Sequence, residues 1–548
     1  MKLVLEDGQF VLTTSDTRLS TKQAIQRIGG RARGRNWVIP RSTLSFDLLR
    51  LRFPWIDISD PSLEQVYSEK YSRSDEWGFP AKIRYIDHGK WSELYGFQRE
   101  AISYLLSNPH RGALLGLSPG LGKSAVSLIA SEIQGYKRVL IISLLSLLST
   151  WERQVKMWRT DDPKVEVCWG TRPSDDPQIV ITNYDTVCGT QGVVLPNGKT
   201  IRKPVVKNSY VRPWDLVILD ESILVKNRQA ARSKAIEMVT RQAGKVWCLS
   251  GSPISKYADD LYQQLRIIEP KTFTSYWRFV ELTCEVEDSL WGPIVSGTRD
   301  DVDVKHLLRD FYFVRHQKDV LDLPPLRPET IYCPLSNEQH VMYQSIYEDF
   351  QAQLEDGSTL DVTSRMAQLT RLLQVASNSL NVGGPNASSK GYTLLELVTS
   401  ESIEKPCLIW VHWIPGAVAL LKEFQQRGLK TGFVVGGMED TDERIQQYIR
   451  GDVDYLILSM SVGKYGHTLT NTRTVIYYDK VFDMDSYIQS MYRVQRIGLD
   501  HPVPVISLVA QKTVDEIEIM DNLSMKAVDI AKITNADLLT LMRTIRGV

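Results

Sequence analysis

The 548-residue sequence lacks paired cysteines: six lie scattered at positions 168, 188, 248, 284, 333 and 407, with no CxxC spacing. That argues against a disulfide framework or a cysteine zinc site and reads as reduced, mostly buried thiols. Long apolar runs are missing as well, and none approaches the roughly 20 residues needed to span a bilayer. The opening MKLVLEDGQF has no basic stretch followed by an apolar one, which argues against secretion and points to the cytoplasm. An excess of one charge is absent too, since 65 Lys and Arg balance 65 Asp and Glu. A uniformly basic coat is thereby excluded, so any nucleic-acid contact must come from local patches or backbone amides. What remains is an ordinary globular composition, 43% hydrophobic and 24% charged. The chain is too long for one core and should divide into three or four domains.

Four segments in order carry chemistry. The apolar run at 111–116 reads as a buried parallel strand, followed by Gly120, Leu121, Gly122, Lys123, Ser124 and Ala125 and then a helical pattern. A strand, a glycine loop and a helix make a phosphate cradle, because small residues let amides approach phosphates at the positive end of a helix. Lys123 would reach the β- and γ-phosphates of ATP, and Ser124 would ligate Mg²⁺. The strict GxxxxGK[ST] pattern fails, since Leu117 stands at its first glycine. A second apolar strand, 214–219, delivers Asp220 and Glu221 at its carboxyl end, where ligands bind in open α/β sheets. Asp220 would join the Mg²⁺ shell and Glu221 would deprotonate the attacking water. Upstream, Gln98 has an amide able to read an adenine edge as donor and acceptor. Near the C-terminal end, Arg493 and Arg496 are spaced to share one helical face and, aimed at a γ-phosphate, would act as arginine fingers. Strand-like runs at 408–411, 432–435, 455–458 and 474–478 alternate with helical patterns and imply a second parallel sheet.

Taken together, these segments resemble the Swi/Snf-like family of superfamily 2 helicases over roughly residues 90–525. The resemblance rests on Tyr95 to Gln98, GLGKS at 120–124, LSLLSTWERQVKMW at 145–158, ITNYDTV at 181–187, LDESILVKN at 219–227 and LSGSPIS at 249–255. It continues through VRHQKDVLDLPPL at 314–326, SMSVGKYGHTLT at 459–470 and QSMYRVQRIG at 489–498. The family implies an α/β fold of two tandem RecA-like parallel-sheet domains with helical insertions, and an ATP-driven motor tracking duplex DNA. It implies that Ser250, Gly251, Ser252 and Gly463 couple hydrolysis to movement. It also implies that Ser143, Ser146, Asn183, Tyr184, Ser459, Lys464 and Thr468 touch DNA. Three positions depart from the family pattern: Ile223 replaces a usual His, His467 and Thr468 replace an aliphatic-Asn pair, and Leu499 replaces a Gln.

The expected division is a small basic α+β domain at 1–85, a first lobe at 86–268, helical insertions at 269–395, a second lobe at 396–530 and a C-terminal helix at 531–548. Asn197-Gly198 between β-prone runs signals a hairpin at 191–212, whose Lys and Arg residues either touch DNA or face solvent. Residues 22–52 carry eight basic residues against Asp47 alone, on an apolar skeleton that says folded domain. GGRARGRNWVIPRS loosely resembles the HARP substrate-recognition domain of annealing helicases, which places Arg31, Arg33 and Arg35 on DNA; a structural basic cap is the other reading. The expected function is an ATP-dependent translocase, monomeric on duplex or branched DNA, that remodels forks by regression, annealing or branch migration. Two alternatives stand beside it: a motor that removes proteins such as RNA polymerase from DNA, and an ATP-gated DNA clamp with low turnover. Compact inserts and the lack of chromatin-reading domains point to a bacterial or viral source.

Overall fold

The computed structural model describes the chain except residues 7–8, 17, 19–20, 23–24, 27–29, 35, 40–48, 50–52, 54–55, 61–62, 64–85, 195–199, 290–291, 303, 305–307, 356–361, 463–467, 481–483 and 517–548. Arg35, Gly463, Lys464, the Asn197-Gly198 turn and the expected helix at 531–548 lie outside the described residues. The chain forms two units, Met1–Val320 and Leu321–Val548.

The first unit begins with a four-stranded antiparallel sheet in the order β1 (Lys2–Glu6), β2 (Gln9–Thr13), β4 (Asn36–Ile39), β3 (Arg31–Arg33). Period-2 alternation sends Leu3, Phe10, Leu12, Trp37 and Ile39 to one core, shared with Ile25, Leu49 and Phe53. Arg31 and Arg33 stay exposed on edge strand β3, next to a turn that Gly34 closes at φ 64°.

A seven-stranded sheet follows, in the order β15 (Tyr312–Arg315), β5 (Gly112–Leu117), β12 (Lys245–Leu249), β11 (Leu216–Asp220), β6 (Val139–Ser143), β8 (Ile179–Asn183), β7 (Val165–Cys168). Every neighbouring pair is parallel. Parallel pairing requires crossovers that cover both faces, which explains why β5, β6, β8 and β11 are buried at every residue. Helix α1 (Gly96–Ser107) leads into β5, and the crossovers include α2 (Lys123–Ile133), α3 (Leu148–Trp158), α4 (Ala231–Thr240) and α5 (Asp260–Ile268). Strands β9 (Cys188–Val194) and β10 (Thr200–Val206) pair antiparallel with Val194 opposite Thr200, a hairpin in the expected segment.

Among the described residues the second unit holds six strands, all parallel, in the order β16 (Leu326–Cys333), β21 (Val503–Ala510), β20 (Thr474–Tyr477), β17 (Cys407–Val411), β19 (Tyr455–Ser459), β18 (Thr431–Val434). Alternate residues feed opposite faces: Leu408 and Trp410 of β17 enter one core, Cys407, Ile409 and Val411 the other. Helices α6 (Asn337–Glu355), α7 (Val362–Ser377), α8 (Ser389–Thr399) and α9 (Met484–Val494) belong to this unit.

The stretch 269–395, expected as helical, also contributes sheet. It supplies the edge strand β15 to the first sheet and β16 to the second, and a hairpin of β13 (Cys284–Ser289) and β14 (Gly292–Thr298). The expected lobe boundary at 268 therefore falls short of β15. Edge strands of this kind are short or only partly buried, so their apolar content is diluted; β16 reads LRPETIYC and carries two charges and a proline.

Among the buried charges, Lys390 and Asp515 pair at 2.6 Å beside Lys480. Burial drives the Lys480 ammonium down to about 7, with Lys390 acting in the same direction and Asp515 against it. The Tyr487 ring flanks Lys480 at 5.7 Å. An unfolded lysine stays protonated to about pH 10.4, so between these values the unfolded chain binds the extra proton and stability should rise with pH. Urea midpoints of the second unit's transition are expected to increase from pH 7 to pH 9.5, and Lys480→Met should flatten that rise. An equal rise in the variant would show that another group is responsible. In the first sheet, a Cβ on Gly112 would lie 2.3 Å from the Val246 carbonyl oxygen and 2.6 Å from Ile268 Cβ. Gly112→Ala should therefore cost roughly 1–3 kcal/mol by overpacking, read as a lower melting temperature; an unchanged melt would contradict this packing.

Candidate nucleotide site

Because the first sheet is parallel, β5, β6, β11 and β12 all end on one edge. Register sets Asp220 opposite Leu249 and Leu219 opposite Ile142. The glycine loop after β5, Ser143 at the end of β6, Asp220 and Glu221 after β11, and Ser250 to Ser252 after β12 are thus delivered together.

The loop turns through two left-handed glycines, Gly120 at φ 87° and Gly122 at φ 81°. A Cβ on Gly122 would come within 2.4 Å of the Gln98 amide nitrogen, so that position excludes any other residue. Helix α2 starts at Lys123 and presents its N-terminal amides toward the loop. Leu117 ends β5, fully buried, and the left-handed turns fall later in the loop; the missing first glycine is not needed here. Lys123 Nζ donates to the Leu117 carbonyl at 3.0 Å. Ser124 and Lys123 are half-buried, while Leu121 and Ala125 pack inside.

Gln98 does more than sequence reasoning gave it. It is 6% exposed, its Oε1 accepts from Tyr95 N at 3.0 Å and its Nε2 donates to Leu121 O at 3.0 Å. The amide expected to read a base thus ties α1 to the phosphate loop.

The Asp220 carboxylate is held on both oxygens. Oδ2 accepts from Ser143 Oγ at 2.9 Å and from Trp151 Nε1 at 2.8 Å, and Oδ1 accepts from Glu221 N at 3.1 Å. Tyr184 OH donates to the Asp220 carbonyl at 2.7 Å, and burial, with Asp220 next, raises that phenol well above its ordinary value. Glu221 sits at φ 50°, a left-handed conformation unusual for a side chain of this kind and typical of strain at working sites. It opens the short helical turn Ser222–Val225, in which Ile223 is buried. Ser250 is fully buried and its hydroxyl accepts from Ser252 N at 3.3 Å. Gly251 lies against Pro119 of the phosphate loop, where a Cβ would meet the ring at 2.8 Å.

In the second unit, α9 is fastened to β20 by a hydroxyl contact of 2.6 Å between Tyr477 and Ser490. Arg493 lies in its last turn and is buried, whereas the helix ends at Val494. Arg496 therefore stands in the turn beyond rather than on a shared helical face. Its Nε donates to Tyr492 O at 2.6 Å and its Nη1 to Thr468 Oγ1 at 3.0 Å. Burial, and then the like charge of Arg493, hold Arg496 below its usual value, a tension that a bound anion would relieve.

Several expected DNA contacts are corrected by burial. Ser143 is inaccessible and serves Asp220; Asn183 and Tyr184 are 5% and 3% exposed; Ser459 is 3% exposed and meets Ser461. As placed here, these side chains are enclosed by the fold rather than presented at its surface. Each ends or follows a buried strand, and the sheet that delivers it also covers it. Ser146 is half-buried, and Thr468 is exposed but engaged by Arg496. Trp151, which no spacing rule singles out, proves central because its indole N–H is the second donor to Asp220.

No described helix is long and apolar enough to cross a membrane, and no three His, Cys, Asp or Glu side chains among the described residues cluster around a metal position. The chain is 23% identical over 439 residues to a Xenopus tropicalis protein named SWI/SNF-related matrix-associated actin-dependent regulator of chromatin subfamily A-like protein 1, covering 79% of this chain and 44% of that one. A Caenorhabditis elegans homologue of that protein is 23% identical over 471 residues, covering 81% and 62%. The DNA annealing helicase and endonuclease ZRANB3 of Bos taurus is 22% identical over 466 residues, covering 83% and 41%. The chain thus spans about half the length of these curated relatives. A solved Sulfolobus solfataricus SWI2/SNF2 ATPase core in complex with dsDNA aligns with 82% of this chain and 96% of that one at 20% identity, with a TM-score of 0.35, too low to add weight. Residues 97–381 match the SNF2-related domain and residues 389–498 the helicase conserved C-terminal domain. With more than half of its length inside the first match and nearly half of the second unit inside the other, this chain belongs to the SNF2-related helicase family.

Proposed function

We propose that the protein is an ATP-hydrolysing motor that translocates on double-stranded DNA and remodels branched DNA. The observation that carries the chemistry is the convergence of the glycine loop, the doubly anchored Asp220 and the strained Glu221 at one edge of a parallel sheet. The relatives' names, among them a DNA annealing helicase, support the substrate class.

The residues fit Mg²⁺ as a partner of ATP. The cation would be held by Ser124, Asp220 and the nucleotide's own phosphates, the usual arrangement for this ion. When bound, it neutralises charge on the β- and γ-phosphates. Gly120 to Ala125 receive the phosphates on backbone amides, and Lys123 exchanges the Leu117 carbonyl for phosphate oxygen. Glu221 takes the proton from the water that attacks the γ-phosphorus, while the bond to the β–γ bridging oxygen breaks and ADP leaves. Ser250, Gly251 and Ser252 pass the nucleotide state onward through Pro119.

The N-terminal sheet reads the DNA substrate through Arg31 and Arg33. Both extend from an exposed edge strand and offer phosphate contacts on a chain whose net charge is zero. Its loose resemblance to a HARP domain agrees with a preference for forks.

The defining measurement is ATPase rate with no DNA, single strands, duplex and forks. Duplex or forked DNA is expected to stimulate the wild type, and no stimulation by any DNA would sink the motor reading. Glu221→Gln should lower the stimulated rate by about 10²–10⁴-fold. Trp151→Phe, which removes one donor to Asp220, should lower it by roughly 10–100-fold; a wild-type rate would show that the indole contact is dispensable. For the N-terminal sheet, the double variant Arg31→Ala with Arg33→Ala should weaken fork binding and make the log–log salt slope shallower by about 2. An unaltered slope would exclude these arginines from phosphate contact.

A further inference from the structure

The acid turn and the 249–255 segment are joined by a buried polar link at residues that the catalytic chemistry does not use. Ser222 Oγ donates to Gln264 Oε1 at 2.7 Å. Gln264 Nε2 then donates to Pro253 O at 2.8 Å and to Asp260 O at 3.1 Å. Both side chains are fully buried. The amide has one possible orientation: reversed, its oxygen would face two carbonyl oxygens. A planar amide with all these positions used moves as a rigid body between its partners.

We propose that Ser222 and Gln264 are positioning residues that couple the catalytic turn to the 249–255 segment, and so set how strongly DNA accelerates hydrolysis. The link starts one residue after Glu221, at a backbone held at φ 50°. A change at that turn shifts the Ser222 hydroxyl and, through the Gln264 amide, the Pro253 carbonyl. Pro253 adjoins Ser252, and Gly251 packs on Pro119 of the phosphate loop. The path therefore returns to the nucleotide loop and forms a closed circuit. The Ile223 side chain has no polar atom with which to make a connection of its own. A second link from Lys226 to Ser255 and to Asp260, the latter at 3.5 Å, lies nearer solvent and is open to screening. The buried serine–glutamine path is the one that solvent cannot replace.

The proposal rests on the motor reading, and its test separates the two. ATPase of the full chain is measured with and without duplex DNA for the wild type, Ser222→Ala, Gln264→Leu, the double variant and Ser222→Thr. Each single variant is expected to lower the ratio of stimulated to unstimulated kcat by about tenfold, within the usual 5–150-fold span of coupling energies. KM for ATP should stay within about twofold. The double variant should be no worse than either single one, as expected when both residues serve a single link, and Ser222→Thr should restore the ratio. A role confined to stability would lower the melting temperature and both rates together, leave the ratio intact and overturn the proposal. Additive losses in the double variant would also overturn it. A wild type that no DNA stimulates overturns the motor reading beneath it; a stimulated wild type with unaltered variants overturns the relay alone.

Discussion

The Asp220 carboxylate is gripped by donors from three different parts of the chain. The Ser143 hydroxyl comes from the end of β6, the Trp151 indole N–H from α3, and the Glu221 amide from the turn that follows Asp220 itself. The first depends on strand register, because β6 and β11 must lie side by side in parallel for Ser143 to reach Asp220. The second depends on α3 packing its Trp151 face inward, and the last is set by the local turn. A carboxylate fixed in this way cannot swing, so whatever cation it meets finds one lone-pair direction already set. The phosphate loop, the strained Glu221 and the coupling segment take their places around that fixed point.

This arrangement separates orientation from reaction. Residues proposed to touch nucleotide, such as Lys123 and Glu221, stand half-buried at the sheet edge. Those that aim them, such as Gln98, Ser143, Trp151 and Gln264, are buried and fully engaged. Gln98 illustrates the division: its amide spans the Tyr95 backbone and the Leu121 carbonyl, so α1 and the phosphate loop respond as one piece.

The sequence made the chemistry legible because phosphate handling demands particular residues at fixed places. Gly122 must be glycine, Lys123 must follow it, and Asp220 must end a strand. Buried strands at 111–116 and 214–219 were equally plain, since parallel sheets produce unbroken apolar runs. Edge strands were not: β15 and β16 lie in a stretch that reads as helical, and β16 mixes charge and proline with its apolar residues. Residues that act across long sequence separations were also hidden. Nothing in the spacing of Trp151 and Asp220, or of Ser222 and Gln264, marks them as partners, because a parallel crossover brings together positions with no common period. Hydroxyl and amide residues at 143, 183, 184 and 459 were placed on a surface by resemblance, whereas the completed sheet encloses them.

The scattered cysteines take on a different meaning in the folded chain. Five of the six are buried and Cys188 is partly so; burial pushes every thiol upward, Cys248 to about 12. Cys248 lies two residues before Ser250, close enough to Ser222 for the serine to moderate its rise. Thiolate, the form that oxidants and electrophiles attack, is therefore scarce at neutral pH even beside the catalytic edge. The native thiols are consequently poor nucleophiles, and a single cysteine introduced at an exposed position would react ahead of the buried ones.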